Sequence, residues 1–236
     1  MRGKTVLITG ANGGLGSALV EQITKDEPKK IYCGVRDVKN SGFLKSFAQN
    51  IELLELDISN KDSIKQAISN IDELDILINN AGINLGGRVN SDDFSEIEVN
   101  LFGTINLTQA LFAKLSHSGA KVINITSSLS LINLPTMANY CISKAALRSY
   151  TQALRAELAI FGAKVFEALS GPIDTRLTAG VDMPKASPQD VASAIVAGAK
   201  KDNFEIYTDD FAINLKKELD KDYTSVEMGM MQSIKG

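Results

Sequence analysis

The chain has 236 residues and a formal net charge of −3. That length suits one large α/β domain that buries its core without disulfide or metal staples, and the scattered charges leave no electrostatic footprint for nucleic acid or an anionic membrane. No apolar run approaches the ~20 residues of a spanning helix, the first strand starts too near Met1 to leave room for a signal peptide, and Cys33 and Cys141 make no metal spacing, so the expected setting is the reducing cytoplasm.

A short β-branched run, Thr5–Thr9, leads into TGANGGLG (Thr9–Gly16) and then into Ser17–Lys25, whose apolar residues recur at helical spacing. Strand, glycine turn and helix, in that order, is the context in which a glycine-rich motif signals a phosphate site. Gly10 permits the tight turn, Gly14 lets a phosphate approach the backbone, and Gly16 lets the helix lie close on its strand. The first amides of that helix lack intrahelical acceptors and sit at the positive end of its dipole, which favours a pyrophosphate.

Further strands are predicted at Lys30–Val35, Ile51–Leu56, Leu74–Asn79, Lys121–Thr126 and Lys164–Leu169, with a weaker seventh at Phe204–Thr208. Between them, Asp92–Ser116 carries Ile97, Leu101, Ile105, Thr108 and Phe112 at helical spacing, and Tyr140–Phe161 reads as a long helix. Ser187–Lys201 opens with a Ser cap and a Pro at the first helical position. This alternation predicts a single domain over 1–236, a Rossmann-type doubly wound parallel sheet of about seven strands with helices on both faces. Ligands in such sheets bind beyond the carboxyl ends of the strands. A short substrate lid is expected at about 173–188. The tail, about 210–236, with Met228, Met230 and Met231, stays open between packing on its own subunit, covering a neighbour's pocket and hanging loose.

Tyr140 and Lys144 lie four apart at a helix start and so share a face. A phenol is a poor proton donor or acceptor at neutral pH, and a nearby ammonium would lower its pKa. Ser127, at the end of the fifth strand, can present a hydroxyl to the same space and hold a carbonyl or alcohol oxygen. Alone, the pair also suits two side chains snorkelling on an amphipathic helix.

The pair is not alone, and at this point the chain closely resembles the short-chain dehydrogenase/reductase family over nearly its whole length. The family's TGxxxGxG falls on Thr9–Gly16, its NNAG on Asn79–Gly82, its helix Asn on Asn100, its Ser on Ser127 (with Ser128 adjacent as fallback) and its YxxxK on Tyr140 and Lys144. The resemblance implies that Tyr140 is the general acid/base, that Lys144 lowers its pKa and bonds the nicotinamide ribose, that Ser127 orients the substrate oxygen, and that Asn100 holds a water of a proton relay. It further implies that Gly10, Asn12, Gly14, Leu15 and Gly16, then Asp57, Ile58, Asn80, Ala81 and Gly82, line the dinucleotide, joined after the sixth strand by Gly171, Ile173 and Thr175. Ser170 replaces the proline usual before that last glycine.

Relatives that prefer NAD place an acid at the end of the second strand, where this chain has Val35 followed by Arg36, whose planar fork suits a 2′-phosphate. Asp37 could tether that arginine instead. NADP(H) is therefore the expected cofactor, NAD(H) the less favoured. Ile83, Leu85, Leu129, Leu131, Leu134 and Leu177 are the expected apolar pocket lining. The implied function is hydride transfer between NADP(H) and a small-molecule carbonyl or alcohol, with no metal, nucleic acid or membrane partner. The alternative is a catalytically silent nucleotide-binding regulator. Relatives commonly form homodimers or homotetramers, and the apolar run Ala145, Ala146, Leu147, Tyr150, Leu154 and Leu158 points the same way.

Overall fold

The computed structural model describes residues 1–234. Seven strands, β1 (Thr5–Thr9), β2 (Lys30–Val35), β3 (Ile51–Glu55), β4 (Ile76–Asn79), β5 (Lys121–Ile125), β6 (Lys164–Leu169) and β7 (Glu205–Tyr207), form one sheet in the order β3-β2-β1-β4-β5-β6-β7. Every pairing is parallel. The order reverses between β1 and β4, and a crevice opens there at the carboxyl ends. The doubly wound expectation holds.

Parallel strands buried on both faces need apolar residues at consecutive positions, and β1 shows the sorting. Val6 and Ile8 pack with Leu15, Leu19 and Ile23 of α1 (Gly14–Thr24) and with the α6 helix (Pro188–Lys200). Leu7 points the other way, toward α2 (Lys61–Ile68), α4 (Thr104–Leu115) and α5 (Ala138–Ala159). The cap expected for α6 is present, since the Ser187 hydroxyl accepts the Asp190 amide at 3.1 Å with Pro188 at the first helical position.

Three regions differ from expectation. The Asp92–Ser116 helix is broken: a short α3 (Ser95–Ile97) runs through a π-helical stretch, Glu98–Gly103, into α4. Of the expected stripe Thr108 is buried and Phe112 packs partly on the core, while Ile97, Leu101 and Ile105 are only half-buried and Leu107, Leu111 and Leu115 complete the buried face. α2 is an addition, with Asn60 Oδ1 capping the Asp62 and Ser63 amides at 2.9 and 3.1 Å. The tail is helical: α7 (Asp210–Met231) is capped by Asp209, which accepts the Ala212 amide at 2.9 Å, and packs Leu215 and Leu219 on Ile132.

Candidate active site

The cleft at the sheet's carboxyl edge encloses about 660 Å³ and receives residues from the ends of β1 through β6. At its centre β1 turns through Gly10 with φ +60°, a left-handed conformation that glycine adopts freely. α1 then starts behind Gly13, which offers no capping oxygen, and its first turn carries no acid. The amides at Gly14, Leu15 and Gly16 thus begin a helix without intrahelical acceptors. A Cβ on Gly14 would stand 2.6 Å from Thr175 Cγ2, and one on Gly16 2.1 Å from the Gly10 carbonyl oxygen. An uncapped helix start with glycine at its first and third positions, overhung by Thr175, fits the diphosphate of a dinucleotide.

The segment after β4 is laced to that turn. Thr9 Oγ1 accepts the Asn80 and Ala81 amides, both at 2.9 Å, and Asn80 Nδ2 donates to the Thr9 carbonyl at 2.8 Å. Asn79 faces the opposite way, donating to Thr108 at 3.0 Å and Asn124 at 2.8 Å, and so ties β4 to α4 and β5. Asn80, Ala81 and Gly82 all border the cleft.

Arg36, Asp57 and Ile58 line the end of the cleft over β2 and β3. Asn12 joins them and donates to the Ser41 hydroxyl at 3.0 Å, fixing the glycine turn to the loop after β2. Val35 is 1 % exposed and packs with Leu44 in the core, so it offers the cleft nothing. Asp37 does not hold Arg36. Its carboxylate accepts the Lys39 and Asn40 amides and the Asn40 side chain, which hold it below the usual carboxylate range. Arg36 is exposed and makes no ion pair among the described residues.

The opposite end gathers Ser127, Tyr140 and Lys144. Lys144 is 5 % exposed; its Nζ donates to the Ile125 carbonyl at 2.9 Å and stands 5.7 Å from the centre of the Tyr140 ring. Burial drives this lysine down to about 8. Burial also pushes the phenol of Tyr140 up to about 12, against a smaller downward pull from the Ser127 hydroxyl that faces it. The lowering of the phenol expected from Lys144 is not seen, and the ammonium is turned to a backbone carbonyl. Ser127 Oγ also accepts the Leu129 amide at 3.1 Å. Ser128 is buried beside it, with its amide on the Ser170 carbonyl at 2.8 Å.

Asn100 sits in the π-helical stretch, fully buried and outside the cleft wall. Its Oδ1 accepts the Ile83 amide at 2.8 Å, while Nδ2 donates to the Ile83 carbonyl at 2.9 Å and Ser143 Oγ at 3.1 Å. Both amide protons are engaged, so this side chain pins the loop after β4 to α5. With both side-chain donors engaged, the water expected there would have to donate to an Asn100 oxygen.

Gly171, Ile173 and Thr175 follow β6 and line the cleft, with Ser170 in the proline's place. Gly171 is held by Asp209, whose carboxylate accepts its amide at 2.9 Å. The lid's base is closed by reciprocal bonds, Asp174 amide to Ala186 carbonyl and Ala186 amide to Pro172 carbonyl, both 2.9 Å. Of the expected apolar lining, Ile83, Leu129, Leu134 and Leu177 border the cleft. Leu85 does not and is largely exposed, while Leu131 turns instead to the Ile132–Leu215–Leu219 cluster under α7. Sequence reading missed Phe211 and Met230, which enter the cleft from α7. No group of metal-ligating side chains and no helix long and apolar enough to cross a membrane occurs among the described residues.

Comparison with known proteins agrees with this geometry. The family model for short chain dehydrogenase matches residues 4–185. A 3-oxoacyl-[acyl-carrier-protein] reductase FabG of Rickettsia bellii is 31 % identical over 219 residues, covering 85 % of this chain and 91 % of that protein. The crystal structure of a short chain dehydrogenase from Burkholderia cenocepacia in complex with NADP superposes with a TM-score of 0.91 at 32 % identity, covering 97 % of this chain and 98 % of the other. A short chain dehydrogenase/reductase from Burkholderia phymatum, solved with NAD, shares the fold at 21 % identity with a TM-score of 0.81, covering 91 % and 92 %.

Proposed function

The chain belongs to the short-chain dehydrogenase family, and from that premise we propose that it is an NADP(H)-dependent reductase of small carbonyl compounds with Tyr140 as the proton donor. The observation that carries this reading is one cleft with an uncapped, glycine-rich helix start at its centre and a hydroxyl–phenol–lysine group at one end. NADPH, when bound, would supply the hydride; the proton steps fall to the chain.

In reduction the phenol of Tyr140 gives its proton to the substrate oxygen as that oxygen gains negative charge, and Ser127 donates a hydrogen bond to the same atom. A phenol at about 12 is protonated throughout the neutral range, which suits it to the acid step and disfavours the reverse. Lys144 lies beneath the phenol and stabilises the phenolate left behind. Gly14, Leu15 and Gly16 would hold the diphosphate, Thr175 and Ile173 the nicotinamide end, and Asp57, Ile58 and Arg36 the adenosine end, where the arginine meets the 2′-phosphate. Asn100 acts as a positioning residue. The protein would work in the cytoplasm.

The test is Tyr140→Phe, which keeps the ring and removes only the proton. NADPH binding, read by fluorescence, should be retained, while turnover on a panel of aldehydes and ketones should fall by roughly two to four decades. A variant within threefold of the parent kcat would remove Tyr140 from this role.

A further inference from the structure

Although α7 spans Asp210–Met231, it is two helices joined at Asp222. There φ is −158° and ψ 86°, an extended backbone inside a helical run. The Asp222 carboxylate accepts the Ser225 amide at 3.0 Å, so this residue ends one helix and caps the next. The redirected segment turns Val226 and Met230, one turn apart, onto the Ile132–Leu215–Leu219 cluster, while Tyr223, Met228 and Met231 stay exposed. Of its side chains Met230 alone reaches the cleft that holds Tyr140 and Ser127.

The walls around that entry are mostly apolar, with Asn84, which donates to Met137 Sδ at 3.5 Å, and Thr178 of the lid as polar members. Leu177, Val181 and Met183 come from the lid, and Leu134 and Met137 from the approach to α5. Among the described residues the charged side chains lining the cleft are Arg36, Asp57, Lys144 and Arg176. Arg36 and Asp57 belong to the far end, Lys144 lies beneath Tyr140 bonded to a carbonyl, and Arg176 is exposed on the lid. A substrate's substituent beyond its carbonyl therefore meets hydrocarbon and thioether.

We propose that Met230, carried in by the separately capped terminal helix, closes an apolar subsite that takes the uncharged alkyl substituent of the substrate carbonyl. This rests on the reading of Tyr140 as proton donor, because that phenol marks where the carbonyl oxygen lies. A methionine suits the task. Its unbranched thioether moulds to chains of different shape, so the subsite selects for apolar length and not for one outline. The cap at Asp222 matters because it aims the segment, which the Val226–Met230 face and a 3.5 Å bond from Arg88 to the Ile234 carbonyl secure to the domain.

The experiment is calorimetric titration of n-alkanamides of increasing length into the protein saturated with NADPH. Amides present a carbonyl and an alkyl chain and are not reduced, so binding is read without turnover. Affinity should rise with each methylene in the parent. Met230→Ala should weaken the longest amide by roughly tenfold and leave acetamide unchanged, Met230→Leu should restore most of the loss, and the NADPH Kd should be the same in all three. An amide ending in a carboxylate should bind more weakly than its methyl-ended counterpart. Affinity that ignores chain length, an equal loss for all amides in Met230→Ala, or tighter binding of the carboxylated amide would overturn the proposal. Matching aldehydes assayed with NADPH separate the two claims: amide binding that depends on Met230 without aldehyde reduction overturns the reductase reading alone, and the reverse pattern overturns the subsite alone.

Discussion

Arg36→Ala is the substitution that most sharply tests the cofactor assignment. The guanidinium lies exposed at the cleft wall with no ion pair among the described residues, and the neighbouring Asp37 is spent on the Lys39 and Asn40 amides. A 2′-phosphate there would receive a charge-assisted, bidentate bond. Such bonds contribute about 1.5–3 kcal/mol, or about one to two decades in affinity. Because Arg36 is solvated, screening places the expected effect near the lower end, about a tenfold rise in KM for NADPH. The phosphate is remote from the reacting carbon, so kcat should change little, and NADH, which lacks the group, should be nearly unaffected. Initial rates with both cofactors, at low and moderate salt, read this directly; the NADPH preference should shrink as salt rises. Asp37→Asn is the control and should leave the preference in place. Equal losses with NADH and NADPH in Arg36→Ala, or a parent that uses both equally well, would refute the assignment. Val35→Asp would not test it, since Val35 is buried against Leu44 and a carboxylate there would first cost stability.

Two further outcomes are expected. Lys144 is held down to about 8 by burial, so its charge is complete below that value and lost as pH rises through it, whereas Tyr140 at about 12 stays protonated; kcat/KM for reduction should be level below about 8 and decline above it, and a profile level well beyond 8 would dissociate Lys144 from the reaction. We also expect a homodimer or homotetramer, because Phe102 in the π stretch and Ile142 on α5 remain exposed even though Leu147, Leu154 and Leu158 are buried within the subunit; a monomeric mass by light scattering at micromolar concentration would contradict this.

The inner strands such as β1 and β4 were legible because they are buried on both faces, and the glycine turn because its residues answer local backbone demands that few other residues meet. Tyr140 and Lys144 were legible for a similar reason, as helical spacing alone puts them on one side of α5. What escaped reading depended on contacts across the fold. α2 had a cap and an apolar stripe, Asn60 with Ile64 and Ala67, but its eight residues are too few for periodicity to stand out. α7 also carried a signal, with Phe211, Leu215 and Leu219 at four-residue intervals behind Asp209. The charged residues between them masked it. Nothing local marks Asp222 as the bend that sends Met230 back to the cleft, nor Glu98–Gly103 as a π turn.

That π turn shows how the fold supports the chemistry without touching it. Had Asp92–Ser116 continued as one regular helix, the stripe through Ile97, Leu101 and Ile105 would have faced the sheet. Around the π stretch Ile97, Leu101 and Ile105 are only half-buried, and Asn100 is fully buried between the loop after β4 and α5. Its three bonds reach Ile83, itself on the cleft wall, and Ser143, which precedes Lys144. One side chain therefore sets the spacing between the wall where a nicotinamide would lie and the lysine beneath the phenol. The buried phenol and lysine are both biased toward neutrality, so the stabilisation of a phenolate by Lys144 would be sensitive to small displacements in a medium of low dielectric. The irregularity is where the fold fixes the position of Lys144 against its partners.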